Sequence, residues 1–167
     1  MTAVSEIAVR MGEIAVSATP GGLLMSIGLG SCIGLALVDQ RRNIAGLAHI
    51  MLPEALGPDG QPGKFADVAV PALIERVVAL GTSRGTLKAV IVGGAQMFSL
   101  NGKAGTLEIG VRNEAAVRGM LAAERIPIVG VATRGSKGRT IKVWTGGAVV
   151  GKEAGGPEVE LLPGTRG

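Results

Sequence analysis

Short runs of Val, Ile and Leu, separated by glycine-rich or polar breaks, set the rhythm of the chain and predict strands rather than long helices. Strands are expected at Glu13–Val16, Leu23–Ile27, Cys32–Val38, Ile44–Leu52, Lys88–Val92, Ile128–Ala132, Thr140–Trp144 and Ala148–Lys152. The last two flank Thr145-Gly146-Gly147, a hairpin signal. Two segments change to helical period. Val70, Leu73, Ile74, Val77 and Val78 recur at three and four residues between Asp67, an N-cap type, and Gly81, with Pro71 expected in the first turn. Ala116, Val117, Met120 and Leu121 do the same after Asn113, a second N-cap type, and before Pro127. Gly57 to Gly63 reads as turn chemistry. The glycines and prolines after Ala154 read as a mobile tail, so residues 1–153 are expected to form one domain and 154–167 a flexible extension. Many strands with two scattered helices imply an α+β fold: a single domain of mixed or antiparallel sheets with helices flanking the sheet faces.

Composition narrows the possibilities. The chain has 167 residues, of which 47% are hydrophobic and 18% charged, enough for one real core and too apolar for disorder. With two Phe, one Trp and no Tyr the core is aliphatic, and little is left for the aromatic platforms on which single-stranded nucleic acids stack. One Cys excludes a disulfide scaffold and a Cys-rich zinc site. A net charge of +4 steers towards acidic partners without identifying one. Ile14 to Val38 is uncharged and long enough to cross a bilayer, but Pro20, Gly21, Gly22, Gly28, Gly30 and Gly34 interrupt it. The N-terminus lacks the basic leader of a signal peptide. A cytoplasmic protein with a reduced thiol is expected.

Two nucleotide motifs are only superficial matches. Gly28-Leu-Gly30 lacks the third glycine of a dinucleotide fingerprint, since Ile33 stands there, and the Gly-Lys pair Gly151-Lys152 is followed by Glu153 rather than a hydroxyl. The informative group is Gly28-Leu-Gly-Ser-Cys32 followed by His49, the chain's only thiol and only imidazole. Asp39 to Asn43 is a polar turn cluster between two apolar runs, which predicts an antiparallel hairpin. A tight turn centred on Gln40 and Arg41 would set Cys32 directly opposite His49, with Cβ atoms about 4.5–5.5 Å apart. A slip of one residue would separate them onto opposite faces. An imidazole that takes a thiol's proton, and then stabilises the thiolate as a cation, makes the sulfur a nucleophile. Backbone N–H groups around Gly30 and Ser31 would face an oxyanion, so acyl transfer from an amide or ester is the natural reaction class.

These residues also resemble a known family. Gly28-Leu-Gly-Ser-Cys32, Ala48-His-Ile-Met-Leu-Pro53, Gly63-Lys-Phe-Ala-Asp67, Gly93-Gly-Ala-Gln-Met-Phe98 and Ile109-Gly-Val-Arg-Asn113, in that order, are similar to the CheD family of chemoreceptor glutamine deamidases. The resemblance spans about Gly12 to Lys152. It implies a cysteine-hydrolase fold like the catalytic domain of cytotoxic necrotizing factor, and a Cys-His-Thr catalytic set. Cys32 and His49 fall on its nucleophile and base, and Ser26 stands where the family has Thr, keeping the hydroxyl that would accept from the distal imidazole nitrogen. Lys64 and Asp67 are candidate cleft residues, while Met97 and Phe98 read as packing and Gly93-Gly-Ala as a sharp strand end.

The implied activity is conversion of receptor Gln to Glu through a Cys thioester, with no cofactor and no metal, and methyl-ester hydrolysis would use the same chemistry. The implied partners are methyl-accepting chemotaxis receptors and a CheC-type phosphatase, without nucleic acid or membrane insertion. The alternative is a regulatory module that acts mainly by binding that phosphatase.

Overall fold

The computed structural model describes residues 5–55, 57, 60–96 and 108–167. The expectations for Met97 and Phe98 fall outside these residues. Among the described residues ten strands and two α-helices follow one another as β1 (Glu6–Ala8), β2 (Ile14–Ser17), β3 (Leu23–Leu29), β4 (Ile33–Asp39), β5 (Ile44–Ile50), α1 (Ala66–Ala79), β6 (Lys88–Gly93), α2 (Ile109–Ala123), β7 (Ile128–Thr133), β8 (Arg139–Trp144), β9 (Val149–Glu153) and β10 (Glu158–Leu162), with a short 3-10 turn at Arg84–Thr86 before β6. They form two five-stranded sheets. One has the order β2-β5-β4-β6-β7 and the other β1-β3-β8-β9-β10. Each is mixed, with the parallel pairs β6–β7 and β1–β3 at the edges. This is the expected α+β single-domain class. None of the described helices is long and apolar enough to cross a membrane.

The first sheet lies between two covers, which explains why β4 and β5 are buried at every position and read as continuous apolar runs. On one face Ile33, Leu35, Leu37, Ile50 and Ile91 pack against Leu73, Ile74 and Val77 of α1 and Val117 and Leu121 of α2. On the other, Ala36, Val38, Leu47, Val90 and Val92 meet Leu24, Leu29, Ile141, Val143 and Val149 of the second, outer sheet. Alternation along β4 therefore sorts odd residues to the helices and even residues to the space between the sheets.

Three expectations need correction. The segment after Ala154 is part of the sheet: Gly155, at φ 77, turns the chain back so that β10 pairs with β9 and Leu162 is buried. Gln40 holds the carbonyl of Pro163 at 2.7 Å, and the Arg166 guanidinium stacks 4.8 Å from the Trp144 ring. Asp67 is not an N-cap. Phe65 occupies that position, and Pro71 sits inside α1 rather than in its first turn. Nor does Asn113 cap α2, which begins a full turn earlier at Ile109 and carries Asn113 inside it.

Candidate active site

The β4–β5 hairpin closes with a four-residue loop rather than a two-residue turn, since Asp39 pairs with Ile44. His49 is consequently opposite Gly34, and Cys32, one residue before β4, is its diagonal neighbour instead of its direct partner. The register has moved by two residues from the expected one. Because side chains alternate with a period of two, this shift keeps both residues on the same face, which a shift of one would not. Both lie on the inner side facing the outer sheet, where Cys32 packs partly buried against the cluster containing Leu29, Ala36 and Leu47. No hydrogen bond joins thiol and imidazole among the described residues.

His49 is 3% exposed and held from several directions. Its N–H donates to the Glu13 carbonyl and its own carbonyl accepts from Gly12, so the β1–β2 connection wraps its strand. The ring Nδ1 lies 3.2 Å from the Val9 carbonyl oxygen. A carbonyl only accepts, so Nδ1 carries the proton and Nε2 presents the lone pair. Nε2 is buried and has no partner among the described residues. Ser26, expected to accept from the imidazole itself, instead donates its hydroxyl to the same Val9 oxygen at 2.7 Å. Serine and histidine are thus joined through one backbone oxygen that no side-chain pattern could reveal.

The thiol loop is clamped by its carbonyls. Ala95 N–H binds the Gly30 oxygen at 2.8 Å and Gly94 N–H the Cys32 oxygen at 2.9 Å. Asn113 Nδ2 binds the oxygen between them, that of Ser31, at 2.9 Å. Among the described residues no backbone group accepts from the N–H of Ser31 or Cys32. Gly93, at φ 115, has to be glycine: an added Cβ would lie 2.1 Å from the Cys32 oxygen. The Gly93-Gly-Ala strand end therefore does more than turn sharply; it grips the cysteine loop. Asn113 was the residue that sequence reasoning missed. Fully buried in α2, it donates its second proton to Met51, two residues beyond His49, at 2.8 Å. One amide thereby ties the thiol segment to the imidazole segment. Its neighbour Glu114, also buried, pairs with Arg118 and lies 3.5 Å from Arg134, whose N–H caps the Gly93 carbonyl.

Burial pushes the Cys32 thiol above its ordinary value, against a smaller opposing effect of its own backbone N–H. Burial also pulls His49 down, outweighing the Val9 hydrogen bond and the negative charge of Glu13. Both shifts favour the neutral forms of thiol and imidazole. The contacts seen for Lys64 and Asp67 among the described residues lie along the approach to α1. Lys64 packs over the Phe65 ring, with its carbonyl accepting from Met51 and Leu52, and Asp67 accepts from the Ala55 N–H at 3.1 Å, closing the turn before α1.

A two-sheet α+β sandwich whose inner face carries one thiol and one tautomerically fixed imidazole belongs to the thiol–imidazole class of sites. Comparison with known proteins gives the family. The profile described as CheD, chemotactic sensory transduction, matches residues 51–152. A Clostridium botulinum (strain Alaska E43) protein named "Probable chemoreceptor glutamine deamidase CheD" is 45% identical over 82% of this chain and 85% of its own. A Clostridium kluyveri protein of the same name is 44% identical over 83% and 86%. The chain belongs to the CheD family. Among solved structures, the Bacillus licheniformis hypothetical protein YfiH aligns with a TM-score of 0.40 and 18% identity, over 74% of this chain and 50% of that one.

Proposed function

We propose that this chain is a cytoplasmic protein-glutamine deamidase acting on methyl-accepting chemotaxis receptors, with Cys32 as nucleophile and His49 as general base. One observation carries the reading: the imidazole gives its Nδ1 proton to the Val9 carbonyl and keeps Nε2 unpaired on the face that carries the only thiol. The family relatives are named as chemoreceptor glutamine deamidases, which supplies the substrate class.

In this reading His49 Nε2 takes the thiol proton as Sγ attacks the side-chain carboxamide carbon of the receptor glutamine. The N–H groups around Gly30, Ser31 and Cys32 receive the oxyanion. The imidazolium returns its proton to the departing nitrogen, and ammonia leaves a thioester. His49 then takes a proton from water, whose oxygen attacks the thioester carbon, and the thiolate leaves with that proton, giving Glu and free Cys32. Ser26 is a positioning residue, acting through the Val9 oxygen. The family resemblance also supports a CheC-type phosphatase as a binding partner. Incubation with a receptor cytoplasmic fragment should give the Gln-to-Glu mass shift with stoichiometric ammonia. Cys32→Ala should abolish both while preserving the fold, because a thiol and a methyl differ little in volume. Turnover by the alanine variant would overturn the assignment.

A further inference from the structure

Ile27 is 66% exposed, more than any other large apolar side chain among the described residues, although it lies inside a strand. Its position follows from an irregularity in β3. Ser26 pairs with Ile141 and Leu29 with Arg139, leaving Ile27 and Gly28 opposite Thr140. Thr140 in turn pairs with Lys152 on β9. The row Ile27, Thr140, Lys152 thus lies on the outer face of the outer sheet, one step behind the row of Leu29 and Arg139. Beyond Leu29 the chain crosses to the first sheet as Gly30, Ser31 and Cys32, so this row borders the end of the sandwich where the thiol lies.

Together with Met25, Lys142 and Val150, the row lines a shallow cavity of about 200 Å³. Its charge is lopsided. Glu158, the acid on its rim, is engaged by Lys142 at 3.5 Å and Arg166 at 3.9 Å. Glu158 stands directly opposite Lys152 across the β9–β10 pair, but among the described residues no carboxylate comes within ion-pair distance of Lys152, and its neighbour Glu153 alternates away, with its carboxylate beside Gly135. The β7–β8 crossover at the same end adds an exposed Lys137.

A partner seated here meets side chains rather than a free strand edge, because β3, β8 and β9 are paired on both sides. Strand addition on this face is thereby excluded, and the exposed Ile27 with half-buried Met25 beside it, flanked by Lys142 and Lys152, is the complement of an amphipathic helix with carboxylates along its apolar border. We propose that this face docks such a helix of the protein substrate, holding it so that a glutamine reaches the thiol end of the sandwich. The proposal rests on the deamidase reading for the identity of the substrate, and on Ile27, Lys152 and their register for the surface itself.

The test uses a receptor cytoplasmic fragment as the probe and Ile27→Thr, Lys152→Glu and the double variant as perturbations. Binding is measured in a Cys32→Ala background, deamidation in the intact enzyme, and Cys32 alkylation by iodoacetamide reports on the site. The double variant should raise Kd and KM by about tenfold or more, with kcat within about twofold and alkylation unchanged. Raising salt from about 50 to about 300 mM should weaken the parent more than Lys152→Glu. Variants that bind and turn over like the parent would overturn the surface and leave the deamidase reading standing. Loss of binding by the variants, with no deamidation by the parent, would keep the surface and sink the deamidase reading. Failure of the parent to bind the fragment would overturn the surface.

Discussion

Asn113→Leu is the perturbation that best separates what holds the site from what performs the chemistry. The side chain is fully buried, and leucine replaces it at similar volume without donors. Two partly buried carbonyls, of Ser31 and Met51, then lose bonds of 2.9 and 2.8 Å. Losing each bond and leaving its acceptor unpaired costs about 1–2 kcal/mol. Against that, Asn113 Oδ1 is itself buried without a partner, and its removal returns about 1 kcal/mol. The net loss is about 1–3 kcal/mol, which for a domain of this size lowers Tm by about 2–12 °C. The kinetic effect should be larger. The two carbonyls belong to the segments carrying Cys32 and His49, and a misplacement of about 1 Å between reacting groups costs about a hundredfold in rate. Asn113→Asp, which turns acceptors towards the same carbonyls, should be worse than leucine on both counts. Thermal melts give the stability, and ammonia release from a receptor fragment gives kcat and KM. A variant with lowered Tm but kcat within twofold of the parent would refute the idea that this amide sets the geometry of the pair.

Four further outcomes follow from the structure. Ser26→Ala removes one of two donors on the Val9 oxygen and should slow turnover severalfold, whereas Ser26→Thr should retain it; an alanine variant at full rate would show that the shared carbonyl does not depend on the hydroxyl. Since burial lowers His49 and raises Cys32, the acid limb of the rate profile should lie below about pH 6.5. Iodoacetamide should alkylate Cys32 slowly at neutral pH and faster only as pH rises past 9.0, and rapid alkylation at pH 7 would contradict a protonated resting thiol. At the far end of β4, burial would raise Asp39, but hydrogen bonds from Thr82, Arg42 and Thr86 outweigh it and hold the carboxyl at about 2, down from 3.8. A depressed carboxylate stabilises the fold above its unfolded value and loses that contribution as pH falls through the folded one. Asp39→Asn should therefore cost about 2 kcal/mol near pH 7, and denaturation melts should show the difference shrinking as pH falls from about 4 towards 2.

The central strands were legible because a doubly covered sheet demands long runs of apolar side chains, and β4 and β5 have no polar face to confuse the signal. Placement of Cys32 and His49 on one face was legible for a different reason. It depends only on the parity of the hairpin register, and survived a loop two residues longer than anticipated. The edge strands of the outer sheet were not. β1 has three exposed residues and β10 mostly exposed ones, so their pairing is decided by backbone hydrogen bonds that carry no compositional mark. The same blindness hid the Val9 carbonyl, which orients His49 and binds Ser26: every residue has such an oxygen, and only the pairing of β1 along the edge of the outer sheet brings this one to the imidazole. Asn113 misled because its local chemistry suits a helix cap equally well. Its two donors acquired partners only when α2 packed against the ends of β4 and β5, bringing together segments that lie 82 and 62 residues away along the chain. Local pattern determines which residues form strands and which face they occupy, while the upward shift of the thiol, the imidazole's tautomer and the clamp between their segments come from burial and long-range contacts that exist only in the assembled fold.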